Sequence, residues 1–160
     1  MTQMPAFDTR DTAADPEAAL NSAADTITLK RTGLRPLSFE GTELCMAMSF
    51  TPQSPYWYEI NIFRTTGQDF VAAVKLFFQS EHQRDVVHAW ECQSFDEVLE
   101  VLEDYDAGND IPIEVFPDTP GLSIGEMAAH AFTLHARVES ARQHYAGLIG
   151  EILDELQKPA

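Results

Sequence analysis

Between Ser94 and Asp118 the chain places nine acidic residues, Asp96, Glu97, Glu100, Glu103, Asp104, Asp106, Asp110, Glu114 and Asp118, with no Lys, Arg or His among them. Carboxylates at this density suit two kinds of chemistry: coordination of a hard cation, and electrostatic capture of a basic surface. Asp104, Asp106, Gly108 and Asp110 come near the spacing of a calcium loop. The glycine, however, replaces the third ligand instead of following it, and the twelfth position is Val115 rather than Glu. No metal is therefore assigned to the block, and its expected role is attraction of a basic partner.

The histidines offer less. His130 and His144 lie fourteen residues apart on one helical pattern, about 21 Å, too far to share an ion. Glu126 and His130 have helical i,i+4 spacing, but two ligands do not make a site. His88 is the candidate general base, because strand parity sets it on an apolar face beside Trp90, with Tyr56 and Tyr58 lining the same expected pocket. Cys92 shares that face about 13 Å along the strand from His88, beyond proton-transfer reach. No nucleophile elbow, phosphate-binding glycine loop, dinucleotide fingerprint or zinc-type cysteine pair occurs. No catalytic residue and no cofactor are assigned.

Composition sets the limits for these candidates. A chain of 160 residues with 44% hydrophobic side chains is the size of one ordinary domain, and its net charge of −16 disfavours contact with nucleic-acid phosphates or anionic membranes. No run approaches the about 18 apolar residues of a membrane span, and no basic-then-apolar leader is evident, so a cytoplasmic protein is expected. Cys45 and Cys92, the only cysteines, are expected on opposite sheet faces as free thiols.

The elements that must position these groups are legible from periodicity. Residues 1–28, rich in Ala, Asp and Thr, read as a mobile arm with a short helix over 15–24, and residues 29–160 as one domain. Apolar residues alternate at Leu44, Met46, Met48 and Phe50, at Tyr56, Tyr58, Ile60 and Ile62, at Phe70 to Phe78, and at Val86, His88, Trp90 and Cys92. Short polar connections join them as an antiparallel meander, with Leu37 and Phe39 as a further strand that turns through Glu40 and Gly41. The opposite sheet face mixes Trp57, Phe63 and Phe77 with small residues, so it needs cover from the chain itself, a second subunit or a ligand.

Helical spacing follows. Ser94 and Glu97 begin a short acidic helix with its stripe at Phe95, Val98, Leu99, Leu102 and Tyr105. Residues 111–116 read as an edge strand, and Ser123 with Glu126 opens a long C-terminal helix whose stripe runs from Ile124 to Ile152. That helix is longer than the domain, so it must bend near Gly147 and Gly150 or project toward a second copy. The expected class is α+β: a four- to five-stranded meander with both helices packed on the Met46, Ile60, Val74 and Trp90 face.

Three functions are compatible with these elements. The first is a dimeric, non-enzymatic protein-interaction module of adaptor, inhibitor, immunity or chaperone type. Glu97, Glu100, Asp104, Asp106 and Asp110 would attract its partner, and Trp57, Phe63 and Phe77 would anchor it. The second is a small-molecule binder or small enzyme with its pocket at Tyr56, Tyr58, His88 and Trp90. The third is a mimic of nucleic acid, which requires acids spread along one surface rather than gathered in one helix and loop.

Overall fold

A computed structural model describes residues 24–112 and 121–158. The strands are β1 (Asp25–Arg31), β2 (Leu34–Met48), β3 (Tyr56–Thr65), β4 (Phe70–Phe78) and β5 (Val86–Cys92). They are followed by helix α1 (Phe95–Asp104), a 3₁₀ turn (Ala107–Asp110) and helix α2 (Ile124–Gln157). The five strands pair antiparallel in sequence order, giving an α+β fold with a meander sheet. Most of the expected edge strand over 111–116 and nearly all of the N-terminal arm lie outside the described residues. Strand structure begins at Asp25, four residues before the expected start of the domain at Leu29.

Strand β2 shapes the sheet. At 15 residues it is long enough to serve two partners, with Leu34–Gly41 paired to β1 and Gly41–Met48 paired to β3. No turn occurs at Glu40 and Gly41; the hairpin turn is at Thr32 and Gly33 instead. Gly41 is required where the strand bends across β3, since a Cβ there would sit 2.3 Å from the Arg64 carbonyl oxygen. The bend folds the β1–β2 hairpin back over the sheet until Thr32 N–H donates to the Val87 carbonyl at 2.8 Å. The sheet is thus a curl whose first strand touches its last.

The curl supplies the cover that the second face needed. Leu29 and Leu37 from the hairpin pack on Phe63, Val71, Ala73 and Ala89, with Phe39 edge-on to Phe63 at 5.4 Å. The chain itself buries that end of the face.

On the first face Tyr58, Ile60, Ile62, Ala72, Val74, Leu76 and Cys92 meet Val98 and Leu102 of α1 and Ala141, Tyr145, Leu148 and Ile152 of α2. Each large apolar side chain buried there contributes about 1.5–3 kcal/mol relative to exposure. Met46 does not join them. A bulge between Glu43 and Cys45 shifts the register so that Met46 pairs with Asn61 and Ala47 with Ile60. Cys45 and Ala47 therefore face the helices, and Met46 is 45% exposed. Cys45 and Cys92 consequently share one core, contrary to the expectation of opposite faces, and both are free thiols. Three strand spacings separate them, about 14 Å, so they cannot bridge.

Both helix starts follow their capping residues. Ser94 Oγ accepts from Glu97 N–H at 3.2 Å, and Ser123 with Glu126 forms a reciprocal capping box. Helix α2 runs unbroken through Gly147 and Gly150 for 34 residues, about 51 Å. The helix does not break, and the excess length is accommodated by projection of its exposed first half.

Candidate functional site

Where α1 ends, a polar and aromatic layer joins the sheet to both helices. His88 projects from β5 between Trp90 on its own strand and Tyr105 after α1, with ring centroids 5.9 Å and 5.4 Å away. Ala72 stands opposite Trp90 on β4, which leaves room for the indole. Asp110, at the end of the 3₁₀ turn, accepts from His88 Nε2 at 3.2 Å with one carboxylate oxygen and from the Tyr105 hydroxyl with the other. Its side chain is only 7% exposed. Burial raises the Asp110 carboxyl above its ordinary value, and the His88 contact works in the opposite direction.

Two further phenols fasten the turn and the last part of α1. Tyr58 donates to the Ala107 carbonyl at 3.0 Å, and Tyr145 of α2 donates to the Leu102 carbonyl. Burial, reinforced by the Asp110 carboxylate, holds both phenols protonated far above neutral pH. Gly108 permits the close approach of α2, because a Cβ there would lie 2.8 Å from Val138. Asp106 receives Arg142 in a bidentate pair at 2.9 Å, which with the Gly108 N–H lowers its carboxyl to about 2.

These contacts place the candidate pocket residues. Tyr58, His88 and Trp90 belong to one packed array with Tyr105 and Tyr145, in which His88 and the Tyr105 hydroxyl share the Asp110 carboxylate and the other two hydroxyls meet backbone carbonyls. Tyr56 meets the array at its margin, edge-on to Tyr58 at 6.3 Å, and also lines an open cleft of about 230 Å³ with Phe78, Ile111 and Arg137. A His held by a buried Asp resembles the orienting half of a catalytic relay, yet a relay also needs a nucleophile. The Cys92 thiol lies on its own strand's Trp90 carbonyl at 3.9 Å, and burial pushes it up to about 11. It is protonated at neutral pH.

The acidic patch divides in the same way. Asp106 and Asp110 fasten the 3₁₀ turn, and Glu97 accepts from Gln93 N–H at 2.7 Å. Glu100 and Asp104 remain on the wet side of α1. The acidity of this loop has a structural explanation that spacing did not reveal: two of its carboxylates are tethers. Among the described residues no group of three or more His, Cys, Asp or Glu side chains is placed to hold a metal ion.

The aromatic anchors are on the other side of the sheet. Phe63 is 6% exposed beneath the β1–β2 hairpin and offers no anchor. Trp57 and Phe77 stack at 5.6 Å at the far end of that face, with Phe50 edge-on to Trp57 at 5.0 Å. Since α1 packs on the first face, the carboxylates and these aromatics do not form one patch.

The most exposed apolar surface lies elsewhere. On the first half of α2 Ile124 is 83%, Met127 46% and Phe132 77% exposed. Periodicity found the first two as part of the stripe, and Phe132 lies off it. A second exposed set, Leu44, Met46, Met48 and Phe50, was assigned by parity to the core and is outward because of the bulge. Charge is also unevenly divided: residues 93–160 hold 14 acidic and 3 basic side chains, against 8 and 6 in residues 24–92. The helical part carries most of the negative charge, and the sheet is close to neutral. Among the described residues no helix is long and apolar enough to cross a membrane. No family model, no curated protein and no solved structure matches this chain.

Proposed function

We propose that this chain is a non-enzymatic protein-interaction module, of adaptor, inhibitor, immunity or chaperone type, that acts as a dimer in the cytoplasm. The observation that carries this reading is the projecting half of α2. A helix whose C-terminal half packs well on the sheet presents Ile124, Met127 and Phe132 to solvent over about two turns, and exposed apolar helical surface of this kind suits docking in a partner's groove. The negative charge of the helical layer, with Glu100 and Asp104 outermost on α1, favours partners with basic surroundings and speeds their encounter. The His88 array supports this reading rather than that of a pocket, because its donors and acceptors are used in holding α1, the turn and α2 together. Two buried free thiols accord with a reducing compartment.

The test compares the native chain with an Ile124→Ser, Phe132→Ser variant as bait for proteins of the native organism. A partner retained by the first and lost by the second, with circular dichroism unchanged, is the expected result. Equal retention by both would remove α2 as the docking surface.

A further inference from the structure

Strand β2 leaves part of its backbone without a neighbour. Its register with β1 stops at Gly41 opposite Asp25, and from Thr42 to Met48 it pairs only with β3, so among the described residues the outer edge of this stretch has no ladder. Edge strands are ordinarily blunted by Lys, Pro, shortness or a bulge. Here the bulge lies at the Glu43 end, and Cys45–Met48 runs regularly beyond it. The stretch holds no Lys, Arg or Pro, and the carboxylate of its one charged residue, Glu43, accepts from Asn61 Nδ2 at 2.7 Å. Leu44, Met46, Met48 and the following Phe50 are each between 43% and 52% exposed.

We propose that this edge receives a second copy of the chain, β2 pairing antiparallel with β2 across a two-fold axis to make one ten-stranded sheet. The proposal deepens the dimer reading above and rests on it. Charge favours the edge: in two chains of net −16 the densest acidic segment of each, α1 with the turn after it, is then held far from its copy, and of the helical layer only the C-terminal end of α2 lies over β2. Helix α1 packs on β4 and β5, so an axis at the β2 edge separates the two α1 helices by five to seven strand spacings. That is about 24–34 Å measured along the sheet, against a Debye length of about 8 Å at physiological salt.

The sequence of the stretch is compatible with itself. Across a two-fold axis, residues of one face stand opposite residues of the same face. With the axis at Met46, within the regular stretch, Cys45 of each copy stands opposite Ala47 of the other, and Glu43 stays beyond the bulge, clear of the second Glu43. A basic partner finds no free carboxylate here. The nearest acidic group on the helix side is Glu155, which accepts from the Cys45 thiol at 3.4 Å and comes near its own copy at the axis. Salt should therefore tighten the dimer, and the projecting half of α2 stays free for another protein.

Sedimentation equilibrium on the full chain between about 0.05 and about 0.5 M salt tests this. The expected result is a dimer that tightens with salt, is weakened at least about tenfold by Met46→Lys with Met48→Lys, and is unaffected by Ile124→Ser with Phe132→Ser. Concentration-dependent amide protection over 42–48 accompanies it. A dimer that survives the lysines overturns the edge assignment and leaves the dimer reading standing. Loss of the dimer in the α2 variant instead assigns the contact to α2. A full chain that is monomeric at every salt concentration overturns both. If removal of residues 1–23 then creates a dimer, the occupant of the edge is the chain's own N-terminal segment.

Discussion

Along α2 the apolar stripe keeps its spacing from Ile124 to Ile152, yet its two halves have different surroundings. Ala141, Tyr145, Leu148 and Ile152 are buried against the sheet and α1, while Ile124 and Met127 are exposed. The difference lies in the size of the sheet rather than in the helix. Strands of seven to ten residues span about 23–33 Å, and a helix of about 51 Å cannot be covered by them along its whole length. A stripe records that burial is needed, and the neighbouring layer decides how much of it is met within the chain.

The largest effect separating the halves should be on stability. Ile152→Ala removes a fully buried side chain and is expected to lower the unfolding free energy by about 2–5 kcal/mol, whereas Ile124→Ala should change it by less than about 0.5 kcal/mol. Urea midpoints measure both, and equal losses would show that the projecting half has cover of its own. Next come the contacts that hold the packed half in place. Asp110→Ala leaves the Tyr105 hydroxyl and His88 without their shared acceptor and should cost about 1–3 kcal/mol. Tyr58→Phe, which frees the Ala107 carbonyl, should cost about 1 kcal/mol. A neutral result for Asp110→Ala would mean that the turn is held to the sheet by packing alone.

The smallest effects appear in pH dependence, and the two tethering carboxylates differ in sign. Asp106 is lowered to about 2 by Arg142, so its contribution is complete above the ordinary carboxylate value of 3.8 and is lost as pH falls toward 2. Asp110 is raised by burial, so its contribution is complete below the ordinary value and fades as pH rises through the raised one. Relative to the native chain, Asp106→Asn should lose stability as pH rises from about 2 to about 4. Asp110→Asn should instead gain relative stability above that range. Thermal melts across pH distinguish them, and parallel profiles would contradict the assigned surroundings.

The type and order of β3 to β5 and of both helices were legible because each rests on a local rule: alternation for the strands, and Ser94 and Ser123 with their glutamates for the helix starts. The face chosen by β2 was not legible. Alternation at Leu44, Met46 and Met48 is read correctly as a strand, but one bulge exchanges inside for outside, and no residue type announces it. Strand β1 was missed because Thr26, Thr28 and Lys30 lie on its wet side and only Ile27 and Leu29 carry an apolar signal. For the candidate site, parity brought His88, Trp90 and Tyr58 together correctly. Asp110 as their partner depends on the path of a loop, which no period encodes. Phe63 and Trp57 alternate alike, and the fold-back at Gly41 alone gives them different exposures.

The meander has a kinetic consequence. Each ladder joins sequence neighbours across a connection of two to seven residues, so β1 to β5 can assemble by successive hairpins, each with a small loop-closure entropy. The two Thr32 to Val87 bonds, 55 residues apart, and the packing of Leu29 and Leu37 on Ala89 require the assembled ribbon to roll up on itself. Rolling should thus be the late event in folding, and the amides of Thr32 and Val87 should be the last of the sheet to acquire protection.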